Sequence, residues 1–135
     1  MNTFRKSERL CSKKELERLF SEGHGFVCFP YSVRWIEAGQ SENVIQTEPV
    51  RVVVSTSKRR FRRAVDRNRV KRLTRECYRL HKQHLYEMLA AHSAPPLSLS
   101  LSYIDTHLPE YQSVYLKFDA IVARLVKEIV DAKNL

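Results

Sequence analysis

Leu97 to Ile104 alternates almost without a break: Leu97, Leu99, Leu101 and Tyr103 fall on one side and three serines on the other. That period of two predicts a strand with one wetter face. Tyr31 to Glu37 alternates in the same way, with Tyr31, Val33 and Trp35 set against Ser32 and Arg34, in residue types that favour strands. Val50 to Ser55 is denser in apolar residues, and its Val52-Val53-Val54 centre predicts burial on both faces. Between these two strands, residues 38–49 carry Gly39, Gln40, Ser41, Glu42 and Asn43 and read as a turn-rich hairpin connection. The stretch with Gly25 and Pro30 reads as a short connector.

Elsewhere the apolar residues recur at three and four. Ser12-Lys13-Lys14-Glu15 has the form of a capping box, with Cys11 and Leu16 placed as its hydrophobic staple. A helix with Leu16, Leu19 and Phe20 on its apolar face follows and runs to about Glu22, where Gly23 suits a left-handed cap. A second helix carries Val70, Leu73, Cys77, Leu80 and His84 on one stripe and extends through Leu85, Met88 and Leu89 to about Ala91. Ser93-Ala94-Pro95-Pro96 breaks it. A third, from near Ser113 to Lys133, repeats Tyr115, Phe118, Val122, Leu125 and Ile129. Such a stripe is more often core than cofactor box. The order αββαβα predicts a single α+β domain over residues 1–135, one sheet with packed helices, preceded by a polar arm over residues 1–11.

Charge changes this picture at one place. Lys58 to Lys82 holds twelve of the 24 Lys and Arg residues and only two acids, Asp66 and Glu76, so the stretch carries a formal +10. The rest of the chain is close to neutral. On a helix, Arg67, Asn68, Lys71, Arg72, Arg75 and Arg79 fall on the arc opposite the apolar stripe, and the ridge calls for an anionic partner. Most charge runs are only solvated faces, but too few acids are present to pair this one. Nucleic acid is the commonest polyanion for a basic chain of this kind, with pI near 9.7. No apolar run has the form of a signal peptide or approaches membrane length, so a cytoplasmic protein is expected. Three widely spaced cysteines, Cys11, Cys28 and Cys77, fit thiols in a reducing compartment better than a disulfide framework.

Few kinds of catalysis fit. A nuclease acting through its own metal ions needs converging carboxylates, and Asp66 and Glu76 lie on different sides of the helix. The three glycines, Gly23, Gly25 and Gly39, form no phosphate-wrapping pattern. Cys77, His81 and His84 share a helical stripe and could offer three zinc ligands, but no fourth is evident and ordinary packing is the favoured reading. No Ser-His-Asp or Cys-His nucleophile has a recognisable activating context.

Ala64 to Glu76, AVDRNRVKRLTRE, resembles the Arg-Asn-Arg signature of the bacterial ribonuclease P protein subunit. Phe4 to Leu10, FRKSERL, is similar to that family's N-terminal motif, and the helix ending in Phe20 and Gly23 follows at the expected distance. The resemblance implies a two-layer α/β sandwich of the ribosomal protein S5 domain 2-like kind, with a mostly antiparallel central sheet and a left-handed βαβ crossover. It implies binding to the ribonuclease P RNA, the catalytic subunit, through Arg67, Asn68, Arg69, Lys71, Arg72, Arg75 and Arg79, beside a basic turn of Lys58, Arg59, Arg60, Arg62 and Arg63. It implies that the 5′ leader of precursor tRNA meets Phe20, Ser32 and Arg34, flanked by Phe4, Lys6 and Arg9. The polypeptide then supplies no catalytic group and binds no metal by itself. Mg²⁺ would be held mainly by the RNA, and one protein monomer would serve one RNA subunit.

Two other classes compete. A basic leucine zipper that binds DNA fails on spacing, because Glu87 follows Leu73 and Leu80 in the heptad and Pro95-Pro96 ends the helix. A general RNA-binding or ribosome-associated module without an enzyme partner fits the composition equally well. Only the Arg-Asn-Arg signature in its strand-to-helix setting speaks against it.

Overall fold

The computed structural model describes residues 8–10, 12–38 and 48–133. Its elements in chain order are α1 (Lys13–Glu22), β1 (His24–Cys28), β2 (Tyr31–Glu37), β3 (Val50–Thr56), α2 (Ala64–Ala91), β4 (Leu97–Tyr103) and α3 (Tyr111–Lys133). The strands form one sheet in the order β1-β2-β4-β3. β1 pairs antiparallel with β2, β2 antiparallel with β4, and β3 parallel with β4.

This order corrects the hairpin expected between β2 and β3, because β4 lies between them. Alternation marks a strand but does not name its neighbours. The leucine-serine strand is the most deeply buried, and a central place gives both of its edges a partner. Parallel pairing of β3 with β4 then requires a long crossover, which α2 supplies. The connector around Gly25 proves to be β1, an edge strand in which only Phe26 is fully buried. With one inward residue it shows no alternation to detect.

Register places Val33 against Leu101 and Trp35 against Leu99, with Val52 on the other side of Leu99. These side chains share a face with Tyr31, Val50 and Tyr103, and α2 and α3 cover it to make the main core. At roughly 1.5–3 kcal/mol for each large apolar side chain fully buried, this layer carries most of the stability. The opposite face is covered at one end by α1, where Leu10, Leu19 and Ile36 form a second, smaller cluster with Leu16 and Val53 against it. Both faces of β3 are therefore apolar contacts, as its valine run predicts. The serine side of β4 is less wet than expected, since Ser98 and Ser100 are fully buried.

Ser12 caps α1 as predicted, accepting the Glu15 amide at 3.3 Å; Cys11 lies outside the described residues. Gly23 is not left-handed but extended, at φ −71° and ψ 161°. Glycine is needed there for closeness, because a Cβ would stand 2.3 Å from the Leu19 carbonyl oxygen.

The buried line of α2 runs through Val70, Thr74, Cys77, His81, Leu85 and Leu89 rather than Leu80 and His84. The stripe read from sequence repeats every 3.5 residues, whereas a straight helix turns every 3.6 and drifts about 20° per heptad. His84 is exposed in consequence. In α3 the same adjustment brings Val114 inward and leaves Tyr115 36% exposed.

Residues 8–10 of the expected arm are fixed to the domain. The Leu10 amide donates to the Val52 carbonyl at 2.9 Å, and Glu8, only 2% exposed, accepts from Lys82 Nζ at 2.8 and 2.9 Å and from the Tyr86 hydroxyl at 2.8 Å. Lys82, counted above among the basic residues, is thus buried and paired.

Candidate nucleic-acid interface

The exposed arc of α2 begins at its first turn. Asn68, Arg69, Arg72 and Arg75 are exposed, and Lys71 and Arg79 are half-buried. Asn68, Arg72, Arg75, Glu76 and Arg79 line a surface depression of about 390 Å³. Glu76 and Arg79 pair across its wall at 2.5 Å, one turn apart. The hydrogen bond from Arg79 holds the Glu76 carboxyl below its ordinary range, and the same bond raises the guanidinium. Arg79 is therefore partly neutralised; Glu76 also stands one turn after Arg72, whereas Arg75 has no acid three or four residues away along the helix.

Arg67 departs from the predicted ridge. It lies three and seven residues before Val70 and Thr74, on the buried arc, and its Nη1 donates to the carbonyls of Phe61 and Arg62, both at 2.8 Å. Its work is to fasten the turn before the helix. Phe61 is buried against Tyr103, ring centroids 6.1 Å apart. Around that anchor Lys58, Arg59, Arg60, Arg62 and Arg63 are all exposed, so five cations stand on a turn held by one phenylalanine and one arginine.

The second predicted region lies on the other side of the sheet. Phe20, at the last turn of α1, is 50% exposed and does not pack in the core. Arg34 lies 5.9 Å from its ring centroid and donates to the carbonyls of Phe20 and Gly23 at 3.1 and 3.2 Å. One guanidinium thereby joins β2 to the end of α1 and underlies the ring. Ser32 continues the same face between Val27 of β1 and Ser102 of β4, and Ser102 bonds Ser55 of β3 at 2.8 Å. The result is a shallow floor of small hydroxyl side chains edged by Phe20 and the exposed Val27. Arg9 is not brought to it: the residue bridges Val52 at the outer edge of β3, with β3 and β4 between it and Arg34. Phe4 and Lys6 lie outside the described residues.

The three possible zinc ligands diverge. Cys77 is buried, with burial pushing its thiol up to about 11, while His81 Nδ1 is 2.7 Å from the Cys77 carbonyl oxygen and His84 faces solvent. The Asp119 carboxylate is 3.1 Å from His81 Nε2 but out of line for a hydrogen bond. Among the described residues no three His, Cys, Asp or Glu side chains gather as a metal site, and no helix is long and apolar enough to cross a membrane.

The ribonuclease P family model matches residues 4–97, which include the N-terminal motif, strands β1 to β3 and the whole basic helix. The chain belongs to this family. It is 38% identical over 109 residues to the ribonuclease P protein component of Porphyromonas gingivalis, covering 81% of this chain and 76% of that one. The counterpart from Chlorobaculum tepidum is 40% identical over 93 residues, covering 66% and 57%. In fold the chain is similar to the RNase P protein of Staphylococcus aureus, with a TM-score of 0.65 at 18% identity over 92% of this chain and 99% of that one. The Thermotoga maritima RNase P protein gives 0.63 at 17% identity over 87% and 96%. The family resemblance read from the Arg-Asn-Arg stretch therefore holds, as does the fold class.

Three features of the structure go beyond what the sequence predicts above. Arg67 as a turn fastener follows from its phase against Val70, a signal present but outweighed by its charge. The Glu8–Lys82 pair joins residues too far apart for any local pattern. Tyr111 and Tyr115 stand beside the α2 ridge, four residues apart and off the α3 core line. Loss of hydration raises the Tyr111 phenol, and the nearby charges of Glu76 and Arg79 also act on it.

Proposed function

We propose that this chain, as a protein component of the tRNA-processing endoribonuclease ribonuclease P, binds the catalytic RNA through α2 and the basic turn and holds the 5′ leader of precursor tRNA across the α1–sheet cleft. The observation that carries this reading is the division of α2 into a core face and a face of exposed Asn68, Arg69, Arg72 and Arg75 that continues into five exposed cations of the turn. Each phosphate met there releases roughly 0.7 to 0.9 of a counterion, which drives binding without reading sequence. In the cleft, Phe20 offers a ring face to an unpaired base, and Arg34 is already oriented beneath it. The serines of the floor present hydroxyls to sugar or phosphate oxygens.

The reaction is Mg²⁺-dependent cleavage at the 5′ end of the mature tRNA. The RNA subunit would hold the metal ions, and the protein's part is to bind and position substrate in the cytoplasm as a monomer on one RNA. Support comes from the exposed face itself, where Glu76, the acid that lines the depression with Arg72 and Arg75, is paired to Arg79 and so is poorly suited to hold a metal ion. The test is to incubate precursor tRNA and Mg²⁺ with rigorously RNA-free protein, with the catalytic RNA, and with both. Cleavage should require the RNA and improve with the protein. Cleavage at the mature 5′ end by protein alone would refute the proposal.

A further inference from the structure

Tyr111 and Tyr115 open α3, one turn apart, with rings 6.0 Å between centroids and tilted by 33°. They are 45% and 36% exposed, whereas the next residues of the helix line, Val114 and Phe118, are buried. Tyr115 rests on His81 at 4.5 Å, and His81 is itself buried and held by the Cys77 carbonyl. The support under this ring is therefore rigid. Through Tyr115 and His81 this end of α3 is seated on α2, and Glu76 and Arg79, whose charges act on the Tyr111 phenol, line the depression together with Asn68, Arg72 and Arg75.

Sealing the seam between two helices needs apolar volume, which leucine supplies with a better helix propensity. Two exposed ring faces beside a cluster of guanidiniums offer something else: a surface for a base with cations for its phosphates. We infer that Tyr111 and Tyr115 form a stacking platform for an unpaired base of the catalytic RNA, extending the α2 interface onto α3. This rests on the reading that the α2 face meets that RNA. Charge selects RNA over a protein partner, because the depression's single acid, Glu76, is already paired to Arg79. Position selects the catalytic RNA over the tRNA leader. The cleft of Phe20 and Arg34 lies on the opposite face of the sheet from α2 and α3.

The test uses the full chain and the catalytic RNA, with affinities taken over a range of salt. Tyr111→Leu removes the ring and keeps apolar cover; Tyr111→Phe keeps the ring. Tyr111→Leu should weaken binding by about 5-fold to about 150-fold, the worth of one base stack, and leave the salt slope unchanged because no phosphate contact is lost. Tyr111→Phe should bind like the parent chain. Parent-like affinity of Tyr111→Leu, beside a weakened Arg69→Ala, Arg72→Ala, Arg75→Ala triple variant, overturns the platform and leaves the basic face standing. Parent-like affinity of both overturns the platform and the underlying reading together. If Tyr111→Leu melts early, a benzophenone amino acid at position 111 decides. Crosslinks to the catalytic RNA support the platform, and their absence under conditions of full binding removes it.

Discussion

Half of the Phe20 surface faces solvent although the ring is among the most apolar side chains, and the residue touching its face is a guanidinium held by two carbonyls. A ring so placed contributes little to the core and is available to a base. Phe20→Ala should therefore weaken binding of precursor tRNA by about 1 to 3 kcal/mol while mature tRNA, which lacks a leader, binds almost as before. A core role would instead cost about 3 to 5 kcal/mol of stability and weaken both complexes alike. Affinities for the two tRNAs beside a denaturant melt separate the accounts. Arg34 shows the limits of reading such a site from sequence. Its place on an alternating strand was visible, but its bonds to Phe20 and Gly23 depend on how α1 crosses β2.

α2 serves two surfaces at once, and its phase decides which residue serves which. Replacing Arg69, Arg72 and Arg75 together with alanine should weaken binding to the catalytic RNA and flatten its salt dependence by about two to three counterions. Folding should persist, because the buried line is untouched and alanine favours helices. An unchanged slope in filter binding, with the helix intact by circular dichroism, would exclude this face. Arg67 is left out of that set because it fastens the basic turn. The sequence located α2, the strands β2, β3 and β4 and the last helix, since each has a long periodic pattern. It could not order the strands, because pairing is a choice among edges that look alike from within one strand. β1 escaped notice with one buried residue, and the phase of α2 slipped because a strict heptad and a straight helix part company over three turns.

Taken as a whole, the molecule is one sheet with a thick apolar layer under it and a thin one at the end of its other face. Glu8 and Lys82 tie the start of the described chain to the far half of α2, next to the outer edge of β3. Lys82→Met should destabilise the fold by about 3 to 5 kcal/mol, since it strands a buried carboxylate. Combining it with Glu8→Leu should recover most of that loss, as a buried pair replaced by apolar groups is often neutral. Chemical denaturation of the two single variants and the double one measures the coupling. A double variant as unstable as the sum of the singles would show that the pair is not a unit. The pair also has a consequence for the order of synthesis. Glu8 leaves the ribosome 74 residues ahead of its partner, an interval of roughly 4 to 15 s at about 5–20 residues per second. Through that interval its carboxylate must stay hydrated and α1 has no finished sheet to cover. The N-terminal segment is therefore made first and docked late, and the nascent chain closes only after α2 has emerged to receive it.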